Sequence, residues 1–408
     1  FLFDATFRMD GSSKFGANRR TAPFWSTGIG WNMHKESWFS NDVISQLRLR
    51  ATVGLTGSVQ FDPYMARTTY SYDKSNWYSS GLGSSVRNYG NENLTWQKTQ
   101  NTDLGIDLGL WKDRLTISPR YYYKITRDIL ADINLAPSTG FSSYKENLGD
   151  LENKGFEINA NWIPIRNEQW TLSLMANLVR NRNKIVRISN ALKSYNQRVD
   201  EAQEGDDLKA VPLLRYNEGQ SLDAIYAVPS LGIDPESGKE VFLKKNGQLT
   251  YDWNSRDIDV VAVATPKLEG FFGGTLRYKQ FMVVAYFQAR FGGKTYNQTL
   301  VDRVENADPR YNVDSRVLAE KWKNPGDVTF YKSIQDLGQT RVSSRFIMPD
   351  KLLALQSFNL SYDARKEFAK KLALSSLRIG VIANDLFRWS SIKVERGITY
   401  PFARSVTF

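Results

Sequence analysis

The chain has 408 residues, a net charge of +11 at pH 7, no Cys and a single His. That excludes disulfides, thiol catalysis and Cys-ligated metals, and leaves only carboxylate, Lys or Tyr groups for any enzyme chemistry. The aromatic load is heavy, with 22 Phe, 20 Tyr and 11 Trp beside 41% hydrophobic residues and a mean hydropathy of −0.45, which points the basic excess away from nucleic acid.

In chain order, alternation at a period of two predicts strands at 1–9, 23–33, 47–57, 97–110, 114–128, 153–163, 168–181, 269–279, 280–291, 352–363, 374–386 and 400–408. In "NTDLGIDLGLW", Leu104, Ile106, Leu108 and Leu110 share one face, and Asp103, Gly105, Asp107 and Gly109 the other. In "KGFEINANWIP", Phe156, Ile158, Ala160 and Trp162 oppose Glu157, Asn159 and Asn161. In "LLALQSFNLSYDA", unbroken alternation sets Leu353 and Leu355 against Leu352, Ala354, Phe358, Leu360 and Tyr362. Several segments exceed ten residues, whereas strands of soluble domains cluster at roughly five or six.

Connections alternate in length. Turns at 111–114, 166–169 and 278–281 are tight, and polar stretches at 58–96, 129–152, 182–268 and 292–351 are long. Aromatics sit at strand ends: Trp25, Trp31, Trp111, Trp162 and Trp170. Rings with apolar bodies and polar tips suit a membrane–water boundary. No apolar run reaches the roughly 18 residues of a membrane-spanning helix. The expected fold class is therefore all-β, a transmembrane antiparallel β-barrel with short periplasmic turns and long extracellular loops. Phe1 begins inside a strand pattern without a leader, so the sequence reads as part of a longer chain.

Specific motifs then add a family. "DGSSKFGANRR" (10–20) with "PFWSTGIGW" (23–31), "ISQLRLRATVGLTGS" (44–58), "ENLTWQKTQNTDLGIDLGLWKDRLTISPRYYYKITRDIL" (92–130), "NLGDLENKGFEI" (147–158), "EKWKNPGDVTFY" (320–331), "SSRFIMPDKLLALQSFNLSYD" (343–363) and "RIGVIANDLF" (378–387) occur in this order. Together they resemble the blocks of SusC/RagA-type TonB-dependent outer-membrane transporters. Gln97 stands where that family usually has Glu, "GSV" replaces a TGN ending, and the last strand is short.

The resemblance implies that residues 1–408 form the C-terminal barrel portion, about 12 of an expected 22 strands. The plug domain, the TonB-contacting segment and the early strands have no counterpart in this sequence, so strands from elsewhere must complete the barrel, because bare edges are not tolerated in lipid. It also implies a multi-pass protein of the cell outer membrane of a Gram-negative Bacteroidota bacterium. Its partners would be TonB, a SusD-like surface lipoprotein lid, lipopolysaccharide and membrane lipid. Its function would be import of glycan oligosaccharides or peptides, without enzymatic chemistry, cofactor or metal. A structural or secretion-associated barrel scaffold is the alternative reading.

Candidate sites follow from the residues. Asp103, Asp107, Asn159 and Asn161 would line the lumen. Tyr70, Tyr72, Trp77 and Tyr78, with Tyr64 and Tyr89 in the same loop, suit flat polar ligands such as sugars, or the loop's own packing. "RFGGKTYN" (290–297) carries GKT, but Gln288 stands where a phosphate loop needs Gly, so it reads as a rim turn. His34 reads as a turn residue, and Glu146, Asp150, Glu152 and Glu157 as solvated charge. "LGIDPESGKEVF" (231–242) reads as a hairpin, and Asp234 and Glu236 lack the alternating acids of a calcium loop. Loop cations (Lys14, Arg19, Arg20, Lys244, Lys245, Arg303, Arg310) and turn cations (Lys366, Lys370, Lys371) either meet lipid phosphates or are simply solvated. They form no nucleic-acid stripe.

Overall fold

The computed structural model describes residues 1–15, 20–59, 62–79, 81–88, 90–134, 143–147, 149–204, 212–392 and 405–407. Every predicted strand has a counterpart. They are β1 Leu2–Gly11, β2 Thr21–Asn32, β3 Ile44–Ser58, β4 Gln97–Leu110, β5 Leu115–Arg127, β6 Gly149–Arg166, β7 Trp170–Ile188, β8 Leu268–Tyr278, β9 Phe281–Tyr296, β10 Ile347–Asp363, β11 Arg378–Ser390 and β12 Ser405–Thr407.

The chain divides into two units. The first comprises Phe1–Ile158, Arg182–Gln197 and Tyr216–Leu222; the second comprises Asn159–Asn181, Arg198–Arg215 and Asp223–Phe408. In the first, neighbours run β1-β2-β3-β4-β5; in the second, β8-β9-β10-β11-β12; β6 and β7 each have residues in both. β1 to β5, and β7 to β12, pair antiparallel with their neighbours in chain order.

Register explains the alternation in the first unit. Phe7 opposes Trp25, which opposes Leu55; Ile29 opposes Ala51, which opposes Leu104, which opposes Tyr121. One face is thus apolar across five strands. Its side chains stay exposed: Phe3 is 75% and Phe7 70% accessible. A wall whose large apolar residues point outward is built for lipid rather than water.

In the second unit, Trp170, Tyr278, Phe281 and Tyr362 lie in register on four adjacent strands at the short-turn end. Trp170 and Tyr278 have ring centroids 4.1 Å apart, and Phe281 and Tyr362 4.8 Å.

Two expectations change. First, β10 does not alternate without a break. A bulge between Leu355 and Ser357 inserts one residue, so Leu353 and Leu355 share a face with Phe358, Leu360 and Tyr362. Second, "RFGGKTYN" is no rim turn. It continues β9 to Tyr296, bulged between Arg290 and Gly293, with Gly292 at φ +81°. The long connections carry elements of their own. They hold the hairpin Thr69–Tyr78 with Gly81–Asn88, the predicted hairpin Ser230–Ile233 with Glu240–Leu243, and a helix at Asn190–Glu204.

Three small cores anchor these connections. Phe15, Phe24, Leu94 and Trp96, all between 0 and 6% exposed, close one of them. Phe24 packs where a Cβ on Gly57 would stand, 2.1 Å from its ring. The motif residues around "KFG", "PF" and "NLTW" are therefore a packing device. Leu300, Val301, Val304, Val317, Tyr331 and Phe346 form a second core; Ala224, Tyr226, Val228, Phe242 and Ile258 form a third.

Candidate functional site

The polar face of the first unit is a ladder of ion pairs. Gly105 on β4 lies in register between Arg50 on β3 and Arg120 on β5. Asp103 and Asp107 flank it on the same face by the period of two. Each acid takes one arginine: Arg50 Nε lies 3.0 Å from Asp107 Oδ2, and Arg120 Nη2 2.5 Å from Asp103 Oδ1. Ser118 Oγ donates to Asp107 at 3.0 Å, and Glu157 lies 3.5 Å from Arg120. A Cβ on residue 105 would sit 3.3 Å from the Arg50 guanidinium, so the missing side chain gives that cation room.

In the second unit the corresponding contacts are amides. Asn177 Nδ2 donates to Asn159 Oδ1 at 2.6 Å, and Ser173 Oγ donates to Asn161 Oδ1 at 3.2 Å. The four predicted lumen residues are thus held by cross-strand hydrogen bonds, each within its own unit.

The hairpin at 69–88 presents its aromatics to solvent. Tyr70 is 65%, Tyr72 77% and Trp77 73% exposed. The side chain of Tyr78 lies outside the described residues, as do Arg19, Tyr89 and the side chain of Glu146. The strand-end tryptophans are also accessible: Trp25, Trp111, Trp162 and Trp170 among them. Trp31 is half-buried, its Nε1 donating to Glu36 at 2.9 Å.

Other candidates resolve locally. His34 Nδ1 lies 3.2 Å from the Leu47 N–H and 3.1 Å from its carbonyl, joining a periplasmic-type turn to β3. Asp150 accepts from Arg187 at 2.9 Å, and Glu152 pairs with Lys154 at 3.0 Å. Asp234 accepts from Ser237 Oγ at 2.5 Å, the Glu236 N–H at 3.1 Å and Tyr251 Oη at 2.9 Å. These donors, Ser237 foremost, hold its carboxyl below the usual range.

A buried charge cluster escaped sequence reasoning. Arg345 donates to Glu305 at 2.5 Å, to Glu240 at 2.8 Å and to the Phe330 carbonyl at 2.7 Å. Burial would lower its pKa, but the two carboxylates more than offset that and raise it. Lys321, 2% exposed, has an Nζ without a hydrogen-bond partner among the described residues. Burial pushes its pKa down, and Glu305 pulls it partly back. No periodicity signals these residues, because their partners lie tens of positions away.

Residues 1–330 match the family described as TonB dependent receptor-like, beta-barrel. The chain belongs to this family. It is 28% identical to TonB-dependent receptor P3 of Formosa agariphila, covering 96% of this chain and 40% of that protein. It is 29% identical to TonB-dependent receptor SusC of Bacteroides thetaiotaomicron over 66% of this chain and 28% of SusC. In fold it resembles a chain of the RagAB peptide transporter structure, with a TM-score of 0.79 at 21% identity, covering 96% of this chain and 42% of that one. The chain spans about two-fifths of the length of the curated Formosa relative. It is accordingly an antiparallel β-barrel protein of the Gram-negative outer membrane.

Proposed function

We propose that this chain is the C-terminal barrel portion of an importer that carries nutrients too large for passive pores, glycan oligosaccharides or peptides, across the outer membrane. TonB energises the import through a plug and contacting segment, and a SusD-like lipoprotein covers the loops. The chain makes and breaks no bond. It supplies barrel wall, polar lumen and loop contacts.

The observation that carries this reading is the two-faced wall. Outward apolar side chains and strand-end tryptophans suit lipid and its interfaces. Asp103, Asp107, Asn159 and Asn161 sit on hydrogen-bonded polar faces that suit a wet lumen. Tyr70, Tyr72 and Trp77 are exposed together, with flat rings for stacking on sugar or peptide.

The test uses the full-length transporter with Tyr70, Tyr72 and Trp77 replaced by Ala. Binding and TonB-dependent uptake of labelled oligosaccharides and peptides should fall for one class, while the barrel remains folded. Uptake and binding unchanged for both classes would remove the hairpin from the substrate path. Uptake that survives loss of TonB would reject energised import.

A further inference from the structure

The hairpin of Thr69–Tyr78 and Gly81–Asn88 wears its apolar side outward. Register sets Tyr70 opposite Val86, Tyr72 opposite Ser84 and Trp77 opposite Leu82, and residues directly opposite share a face. All six are exposed. The other face is small and polar. Ser71 opposes Ser85, their hydroxyl oxygens 3.2 Å apart, and Asp73 opposes Gly83, which is buried.

The two edges of this hairpin differ. On Thr69–Tyr78 the register breaks between Asp73 and Trp77, and a break of that kind blunts an edge against further pairing. On the other strand, Leu82 to Val86 run without a bulge. Its sequence, "GLGSSVRN", has no Pro or Lys, and Arg87 near its end is its one charge. Among the described residues the far edge of this strand meets no third strand. From Leu82 to Val86 it offers main-chain N–H and C=O groups over roughly 13 Å. A two-stranded hairpin is marginal in water, and a third strand extending an apolar face is what makes such a sheet stable.

We propose that an extended peptide adds to this edge as a third strand, which rests on the import function proposed above and narrows its substrate to peptide. The peptide main chain bonds to residues 82–86. Its alternate side chains continue the apolar face beside Leu82 and Val86. Strand addition draws affinity from the main chain and selectivity from alternate side chains, so this edge admits peptides of many sequences. An oligosaccharide stacks on the rings but carries no repeating row of N–H and C=O groups to match a strand edge.

The experiment measures binding of two labelled decapeptides to the full-length transporter. Both alternate Val with Gln, and the second is N-methylated on consecutive residues through its centre. Methylation blocks both of its edges and keeps its side chains. The first should bind, and the second should bind roughly tenfold more weakly, the loss expected from one or two hydrogen bonds. Leu82→Lys with Val86→Lys charges the edge strand on its exposed face and should weaken the first peptide by a similar factor. Ser85→Ala, on the opposite face, should bind it as wild type does. Equal affinity for the two peptides would overturn the strand addition, and TonB-dependent uptake of both would leave the import function standing. Uptake of labelled oligosaccharide with binding of neither peptide would overturn it too. Loss of a copurifying surface lipoprotein from the double Lys variant, with peptide affinity unchanged, would give the edge to the lid instead.

Discussion

Arg345 and Glu305 form an ion pair with side chains 2% and 0% exposed, the guanidinium 2.5 Å from the carboxylate. Removing one partner strands the other charge away from water, at a cost of about 3–5 kcal/mol. Arg345→Met should therefore unfold the segment around Phe346 while leaving the strands intact. Limited proteolysis should cut within 297–346 in the variant, and a wild-type digestion pattern would contradict this account.

Lys321 gives the opposite expectation. Its Nζ is buried without a hydrogen-bond partner among the described residues, and Lys321→Met replaces that side chain with an apolar one of similar length. The variant should protect the same segment by roughly 1–3 kcal/mol, the usual desolvation cost of an unsatisfied polar group. The pH dependence follows from the depressed pKa. Below it, folded and unfolded forms both hold the proton. Between it and the ordinary lysine value of about 10.4, the unfolded form holds a proton that the folded form has shed, so stability rises with pH. Hydrogen exchange of residues 317–346 should slow as pH rises through that window, after correction for intrinsic exchange. Lys321→Met should abolish the trend. Tyr331, pushed up to about 12 by burial, titrates above it.

Asp234 titrates with the reverse sign. Its carboxyl is held below the usual range by Ser237, Glu236 and Tyr251. The stability it contributes is present above the unfolded value of about 3.9 and is lost as pH falls through the folded pKa. Asp234→Asn should make the hairpin at 230–250 more protease-sensitive at neutral pH and remove its acid sensitivity. Equal cleavage rates for both proteins across pH would rule this out.

Gly105 tests the ion-pair ladder without touching a charge. Gly105→Val places a methyl-bearing carbon 3.3 Å from the Arg50 guanidinium, which must shift against Asp107. Both side chains are partly exposed, so the stability change should stay within about 1 kcal/mol. Uptake of charged substrates should shift more than uptake of neutral ones. A variant whose uptake is unchanged for both would remove the ladder from the lumen path.

The wall was legible in the sequence because its code is local. Side chains alternate by two, and the segment predicted at 97–110 is the strand Gln97–Leu110. Strand ends were less legible: β7 runs on to Ile188 and β9 to Tyr296, since a strand that rises above the membrane loses its apolar face but keeps its hydrogen bonds. The Arg345, Glu305 and Glu240 cluster left no trace, because its geometry depends on contacts 40 and 105 residues apart in sequence. Phe15 and Trp96 were visible as motif residues, but their ring contact at 4.9 Å belongs to the folded loops.

Gln356 occupies the break in β10, where its Nε2 donates to Gln288 Oε1 at 2.8 Å. Were that residue paired like its neighbours, the strand would alternate perfectly and one half of it would turn inside out. Leu352 and Ala354, now 4% and 1% exposed, would trade faces with Leu353 and Leu355. The irregular residue is therefore a parity correction. A residue added elsewhere in this strand is tolerable only where a second bulge absorbs it, whereas loss of Gln356 itself would leave both halves facing as they do.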